Sequence, residues 1–329
     1  MKKNFRLLTK KTWAVVICTF FSCVFLGTAQ AQTERTFENA GTTEQWQVPT
    51  NVTQITIETW GAGGAGGATY MSSLQRPAGG GGGGAYAKST IAVTPGEILS
   101  ITVGRGGENP NGTARDGENS SVKSGTTTLV EAEGGKSVGG TNTLTGAQGG
   151  QASNSIGDVK FSGGNGGNGE MGTLGAFSAS GGGGGAAGNH GNGYNGGNGV
   201  SGSSGSAGSA GDGDEIAGNG GEGLHSTIRE EWDGVGKSGS NYGGGGGGSI
   251  NTWLWTTKAG GKGGDGYIRI SYEEALQVSY VLNGATNPTS IPEGMINPGD
   301  PMSSVKPGTI TKITTLLEAG STMLLAHKL

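Results

Sequence analysis

The sequence predicts an all-β protein: a β-sandwich that carries a long glycine-rich insertion. Three observations predict it. Short alternating apolar segments with Gly/Pro turns lie near 36–132 and again at 267–272. No stretch of 33–272 shows a helical period. Between the strands, glycine recurs every third residue, as in Gly163, Gly166, Gly169, Gly172 and Gly175, and in the run from Gly193 to Gly211. Three residues per turn is the period of an extended left-handed helix. One edge of such a helix is bare backbone, free to bond sideways to its neighbours.

Residues 1–31 read as a secretory signal cleaved after Ala31. Lys2, Lys3, Arg6, Lys10 and Lys11 precede an apolar stretch from Trp13 to Gly27, and Ala29-Gln30-Ala31 is a small-x-small cleavage site. A lipoprotein reading at Cys23 fits less well, because the apolar run continues past it to Leu26. No other segment looks membrane-spanning. Cleavage removes both cysteines, Cys18 and Cys23, so the mature chain has no disulfide staple. It leaves 16 basic against 25 acidic residues, a net charge of −9, which argues against nucleic acid and anionic lipid as partners.

Strands follow in order. Gln54–Trp60 alternates, with Ile55, Ile57 and Thr59 on one face. Ala85–Val93 and Ile98–Val103 flank Thr94-Pro95-Gly96-Glu97 and read as a β-hairpin, with Leu99, Ile101 and Val103 facing one way. Thr126–Ala132 is a fourth strand, and Tyr267–Tyr272 a fifth, with Ile268, Ile270 and Tyr272 on one face. The glycine insertion, about 134–266, is thus held at both ends by strands, within a domain spanning 32–272.

Of the 74 glycines, 67 lie between Gly61 and Gly266, about a third of that stretch. Collagen has this fraction, but it needs strict phase and abundant proline. Here the runs Gly79–Gly84 and Gly243–Gly248 break the phase, and no proline occurs between Pro110 and Pro288. Disorder is the competing reading, since glycine loses the most conformational freedom on ordering. Anchorage at both ends lowers that cost and favours an ordered insertion.

The residues also carry a resemblance. Phe37-x3-Gly41-x4-Trp46-x-Val48-Pro49, then Glu58-Thr59-Trp60-Gly61-Ala62-Gly63-Gly64, is similar to the opening of the extracellular glycine-rich domain of bacterial surface proteins and of the anaplastic lymphoma kinase ectodomain. Gly84-Ala85-Tyr86-Ala87, Thr94-Pro95-Gly96 and Val103-Gly104-x-Gly106-Gly107 continue it, and Gly263 to Ile270 resembles its closing strand. The resemblance implies a jelly-roll-like β-sandwich with inserted polyglycine-II helices packed as a bundle, an arrangement that phage tail-tip adhesins also use. Farther on, Val278 to Pro288 resembles the first strand and turn of the internalin-type B-repeat, and Pro298-Gly299-Asp300 and Lys306-Pro307-Gly308 fit it. That implies a partial β-grasp repeat in 273–329. No aromatic residue follows Tyr280, and Thr309–Leu329 reads as an irregular tail, as a truncated or frame-shifted repeat would leave.

Motifs for chemistry are weak. Gly164-Asn165-Gly166-Gly167-Asn168-Gly169 satisfies G-x-G-x-x-G without a strand before it or a helix after it. Gly135-Lys136-Ser137 and Gly236-Lys237-Ser238 lack the first glycine of a phosphate loop. Gly260 to Ile268 fits one calcium nonapeptide, but such sites need tandem copies, so a tight turn into the last strand is the plainer reading. Asp212, Asp214 and Glu215 read as solvated turn residues. His190, His225 and His327 stand in no catalytic constellation. No enzymatic activity, cofactor or metal is expected. The expected function is that of a secreted or cell-surface bacterial structural or adhesion protein. Its glycine bundle is a rigid scaffold, with recognition in tip loops near 68–78, 186–195 and 211–233. The alternative is a carbohydrate- or protein-binding module using Tyr70, Tyr194, Trp232 and Tyr242, with a surface glycan or an extracellular protein as partner. Core or sandwich-edge packing is the favoured reading for these four and for Trp253 and Trp255, whose alternation places them on one face of a strand.

Overall fold

A computed structural model describes residues 32–71, 75–172, 178–200, 203–206, 208, 216–226, 234–252, 255–274, 276–278 and 294–296. The expected signal lies outside the described residues, as does most of the expected β-grasp repeat.

The strands in chain order are β1 (Gln32–Phe37), β2 (Thr43–Gln47), β3 (Gln54–Trp60), β4 (Thr69–Tyr70), β5 (Arg76–Pro77), β6 (Tyr86–Ala92), β7 (Ile98–Thr102), β8 (Ser120–Ser124), β9 (Thr127–Ala132) and β10 (Val159–Phe161). They continue with β11 (Ile250–Asn251), β12 (Thr257–Lys258), β13 (Tyr267–Glu273), β14 (Leu276–Val278) and β15 (Gly294–Ile296). Two antiparallel sheets form the sandwich, one in the order β1-β13-β3-β6-β10 and the other β2-β7-β8-β9. The alternation read from the sequence places the core. Ile55, Ile57, Ile268 and Ile270 of one sheet face Leu99, Ile101, Val122 and Val130 of the other, all buried. Truncating Ile57, which has no exposed surface, is expected to cost about 2–5 kcal/mol in a guanidinium melt.

The expected hairpin at Pro95-Gly96 does not form. β6 pairs with β3, and β7 pairs with β2 and β8 in the opposite sheet. The turn bonds back onto the residue after β2: Gly96 N–H donates to the Val48 carbonyl at 3.0 Å, and Val48 N–H to Glu97 at 2.8 Å. That contact carries the chain across the sandwich, so Leu99 and Ile101 meet Ile55 and Ile57 face to face instead of lying beside them. The strands β1, β2 and β8, rich in Thr, Ser and Gln, carry little apolar pattern, and the sequence reading did not find them.

The outer face of the five-stranded sheet is also covered near the glycines. Trp60 on β3 stands between Tyr86 of β6 and Tyr267 of β13, its register partners, with ring centroids 4.9 and 5.4 Å away. Phe161 and Tyr242 extend the row, at 6.3 Å from Tyr86 and 4.5 Å from Tyr267. One residue pair farther along, Glu58 is buried. It accepts from the Tyr86 hydroxyl at 2.6 Å and pairs with Arg269 at 2.8 Å and Lys88 at 3.7 Å.

From Trp60 onward the chain leaves the sheet as extended glycine-rich segments that run away from it and return. The outward segments 61–67, 163–169 and 243–250 and the returning segments 78–85, 179–187 and 260–266 bond side by side through their backbones. The segments at 61–67 and 78–85 precede the expected insertion yet sit inside the same network. Donors fan out with period three. In 78–85, Ala78, Gly81 and Gly84 donate to Ser249, Gly246 and Gly243; Gly80 and Gly83 donate to Gly167 and Gly164; Gly82 and Ala85 donate to Lys136 and Glu133. In 180–187, Ser180, Gly183 and Ala186 donate to Leu224, Gly221 and Gly218; Gly181, Gly184 and Ala187 to Ala78, Gly81 and Gly84; and Gly182 and Gly185 to Gly197 and Tyr194. Contacts this close leave no room for side chains. A Cβ on Gly80 would stand 2.0 Å from the Gly182 carbonyl oxygen, and one on Gly246 2.0 Å from that of Gly261.

Candidate functional site: the sheet-distal tips of the glycine array

The turns that reverse each outward segment gather at the end of the array farthest from the sheet. Their described residues include 68–71, 75–77, 110–114, 139–142, 170–172, 178, 200, 225–226, 251–252 and 255–258. Large apolar side chains exposed there are Tyr70, Leu144, Met171, Val200, Val235 and Trp255. Elsewhere among the described residues only Ile98, Ile156, Val159 and Tyr194 match them. Exposed apolar groups that gather at one end mark an interaction face.

Two aromatic positions there are built rather than loose. Tyr70 on β4 pairs with Thr257 on β12. On its other side the Asn142 side chain takes the place of a strand: its Oδ1 accepts the Tyr70 N–H and its Nδ2 donates to the Tyr70 carbonyl, both at 2.8 Å. Asn142 itself sits at φ 61°, a left-handed conformation that asparagine tolerates better than most residues. Trp255 is 71% exposed and also left-handed, at φ 61°. Its N–H donates to the Met71 carbonyl at 2.7 Å. The neck of its loop is closed by buried Asn251, whose Nδ2 donates to the Thr256 carbonyl at 2.6 Å and whose Oδ1 accepts the Thr256 hydroxyl at 3.0 Å. A bulky residue with positive φ and an open indole costs about 1–3 kcal/mol. Such strain persists where the surroundings over-determine it, and Trp255 stands two residues from the register partner of Tyr70.

The predicted aromatic residues do not come together. Tyr70 lies at the distal end. Tyr194, 52% exposed, lies toward the sheet-proximal end of the segment 191–199. Tyr242 packs on Tyr267 at the sheet junction, where burial first and Glu38 second raise its phenol above the usual tyrosine range. Trp232 lies outside the described residues. Trp255, Leu144 and Met171 went unrecognised as exposed tip residues. Trp255 and Leu144 fall in the glycine-free stretches 249–258 and 141–145, whereas Met171 falls inside the Gly163–Gly175 run, where no local signal marks it.

The chemical motifs resolve into the array. Gly164–Gly169 is one of its segments, donating to 147, 182 and 185. Lys136 pairs with Asp116 at 3.4 Å and Glu133 at 3.7 Å, and Ser137 Oγ accepts the Ala65 N–H. Lys237 pairs with Glu222. Residues 260–266 are a straight array segment rather than the expected tight turn, bonding to 247 and 244 on one side and to 109, 107 and 104 on another. Asp265 Oδ1 is taken by the Gly106 N–H at 2.7 Å. Among the described residues no group of three or more His, Cys, Asp or Glu side chains is placed to hold a metal, and no helix is long and apolar enough to cross a membrane. The acidic cluster at 212–215 lies outside them.

A two-sheet sandwich whose loops are drawn out into hydrogen-bonded glycine segments defines the class. The chain belongs to the glycine-rich domain family, whose profile matches residues 37–273. No curated protein matches it.

Proposed function

We propose that this is a secreted or cell-surface bacterial structural or adhesion protein without enzymatic activity. Its array is a bundle of polyglycine-II helices that acts as a rigid scaffold, and its distal turns are the recognition face. The observation that carries this reading is the three-way fan of backbone donors, Ala78/Gly81/Gly84, Gly80/Gly83 and Gly82/Ala85. A helix of three residues per turn points successive N–H groups in three directions, whereas a strand points them in two. Rigidity then comes from the backbone alone, which leaves the turns free to vary. Residues 1–31 are the signal that takes the protein outside the cell, and 273–329 a partial β-grasp repeat; β14 and β15, within that stretch, pair antiparallel.

The exposed Trp255 and the clamped Tyr70 favour a binding role at the tips, for a surface glycan or an extracellular protein. Hydrogen exchange tests the scaffold: amides of 78–85 and 180–187 should exchange as slowly as those of β3, and random-coil exchange there would end the bundle reading. Recognition is tested with Tyr70→Ala/Trp255→Ala protein on glycan and host-surface arrays. The melting temperature is expected to stay within a few degrees while surface binding falls at least about tenfold, about 1.4 kcal/mol. Equal binding by both proteins would move recognition away from this end.

A further inference from the structure

Asparagine followed by glycine is a chemically fragile step. The glycine nitrogen, having given its proton to hydroxide, attacks the asparagine Cγ. A ring C–N bond forms, the bond to the side-chain nitrogen breaks, and ammonia leaves. Water then opens the succinimide to aspartate, or to isoaspartate, which carries an extra methylene in the main chain. Glycine offers no side chain to hinder the attack, and a glycine-rich chain that opened would have nothing else to slow it.

The array contains six such steps: Asn165-Gly166, Asn168-Gly169, Asn192-Gly193, Asn195-Gly196, Asn198-Gly199 and Asn219-Gly220. Every attacking nitrogen is engaged. The N–H groups of Gly166 and Gly169 donate to the Ala147 and Leu144 carbonyls at 2.8 and 2.7 Å; those of Gly193, Gly196 and Gly199 donate to Ser162, Asn165 and Asn168 at 2.8–2.9 Å; that of Gly220 donates to Gly208 at 2.8 Å. At Asn165, Asn168, Asn192, Asn195 and Asn198 the target is held away as well. Asn165 and Asn168 Oδ1 accept from Gly149 and Gly146 at 2.9 Å. Asn192, Asn195 and Asn198 Oδ1 accept from Ser162, Asn165 and Asn168 at 2.8 Å. Each side chain therefore reaches across to the neighbouring segment, away from the nitrogen that follows it. A seventh step, Asn111-Gly112, sits in a distal turn, where the Gly112 N–H donates to the side chain of buried Asn109 at 2.7 Å and the Asn111 Oδ1 accepts from Thr113 at 3.2 Å, so bonds within one turn, rather than a neighbouring array segment, close it.

We propose that these asparagine rows are a built-in modification site. The closed array blocks succinimide formation at its Asn–Gly steps, and any opening that frees a segment commits them to it. Deamidation would put a carboxylate where a neutral rung accepted a backbone donor. Isoaspartate would lengthen the chain by one atom and break the period of three for the rest of that segment, so an opened array is marked irreversibly. This holds whatever the distal tips bind.

The test is peptide mapping of the full mature chain, held in mildly alkaline buffer at physiological temperature, folded and in guanidinium, with isoaspartate detected enzymatically. Unfolded chains should convert the seven steps named above, and Asn283-Gly284 outside the described residues, at similar rates. In folded protein Asn165, Asn168, Asn195 and Asn198 should convert at least about 100-fold more slowly than unfolded, since reaction requires opening of the array, while Asn111, which only its own turn must release, is slowed less than these four. Conversion of the four array residues in folded protein as fast as Asn111 would overturn the proposal. Gly83→Ala, which crowds the Gly185 carbonyl beside segment 163–169, should speed Asn165 and Asn168 and leave Asn111 unchanged. Unaltered rates at those two in an array shown open by hydrogen exchange would overturn it equally.

Discussion

Gly83→Ala is expected to destabilise the protein by about 4 kcal/mol or more, the range reserved for severe core damage. The added Cβ would stand 2.0 Å from the Gly185 carbonyl oxygen and 2.5 Å from its carbon. Neither is the end of a flexible side chain. Each belongs to a segment that is itself bonded on other sides, with Gly185 N–H donating to Tyr194 and Gly184 N–H to Gly81. Moving one segment aside therefore breaks bonds to several others. In ordinary cores overpacking is relieved by rotamer shifts, at a cost of about 1–3 kcal/mol. Here there are no rotamers to shift. Gly139→Ala is the control: no atom lies within 4 Å of its added Cβ, and a change within about 0.5 kcal/mol is expected. Thermal melts of the two variants check the contrast. Equal melting temperatures would mean that the array tolerates side chains between its segments.

Glu58→Ala should lose about 3–5 kcal/mol in a denaturant titration. The Glu58 side chain is 5% exposed and that of Arg269 19% exposed. Arg269 donates to Glu58 Oε2 through its Nε at 2.9 Å and its terminal nitrogen at 2.8 Å, while Oε1 takes the Tyr86 hydroxyl, and the guanidinium lies 5.7 Å from the Trp60 ring. Removing the carboxylate strands that cation beneath the array and takes the acceptor from the Tyr86 hydroxyl. Lys88, whose side chain is 40% exposed and whose nitrogen is 3.7 Å away, is a screened partner, and Lys88→Ala should cost no more than about 1 kcal/mol. Losses of the same size for the two variants would show that charge number, rather than burial, matters at this junction.

The sandwich was legible where one face of a strand is apolar. Ile55/Ile57, Leu99/Ile101 and Ile268/Ile270 announced their strands and their inward faces. β1 and β2 at sheet edges, and β8 between β7 and β9, stayed hidden because their partners, not their composition, make them strands. The hairpin error at Pro95-Gly96 has the same origin: turn chemistry specifies a reversal but not the sheet in which the chain resumes. Period three in the glycines pointed to lateral bonding, yet it could not say which segment lies beside which. The parallel neighbours 78–84 and 181–187, about a hundred residues apart, have no counterpart in local pattern. The distal face was least legible. Trp255 reads as an apolar residue in an apolar triplet, and only the Asn251 and Met71 bonds that close its loop turn the indole outward.

The glycine segments come in out-and-back pairs: 61–67 with 78–85, 104–109 with 115–119, 133–138 with 143–150, 163–169 with 179–187, 193–199 with 203–208, 218–224 with 234–240, and 243–250 with 260–266. The chain departs from Trp60 and comes home at Tyr267, which are register partners on adjacent strands. An even number of crossings is therefore a topological requirement, and the pair is the smallest unit by which such a domain can lengthen or shorten. A duplicated or deleted pair at the rim leaves the sandwich, its closing strand and the remaining tips where they were. A single added segment would deliver β13 to the wrong end. Modular variation in whole pairs, decoupled from the sheet that nucleates the fold, gives a lineage of such proteins a route to new tip sets without redesigning the base.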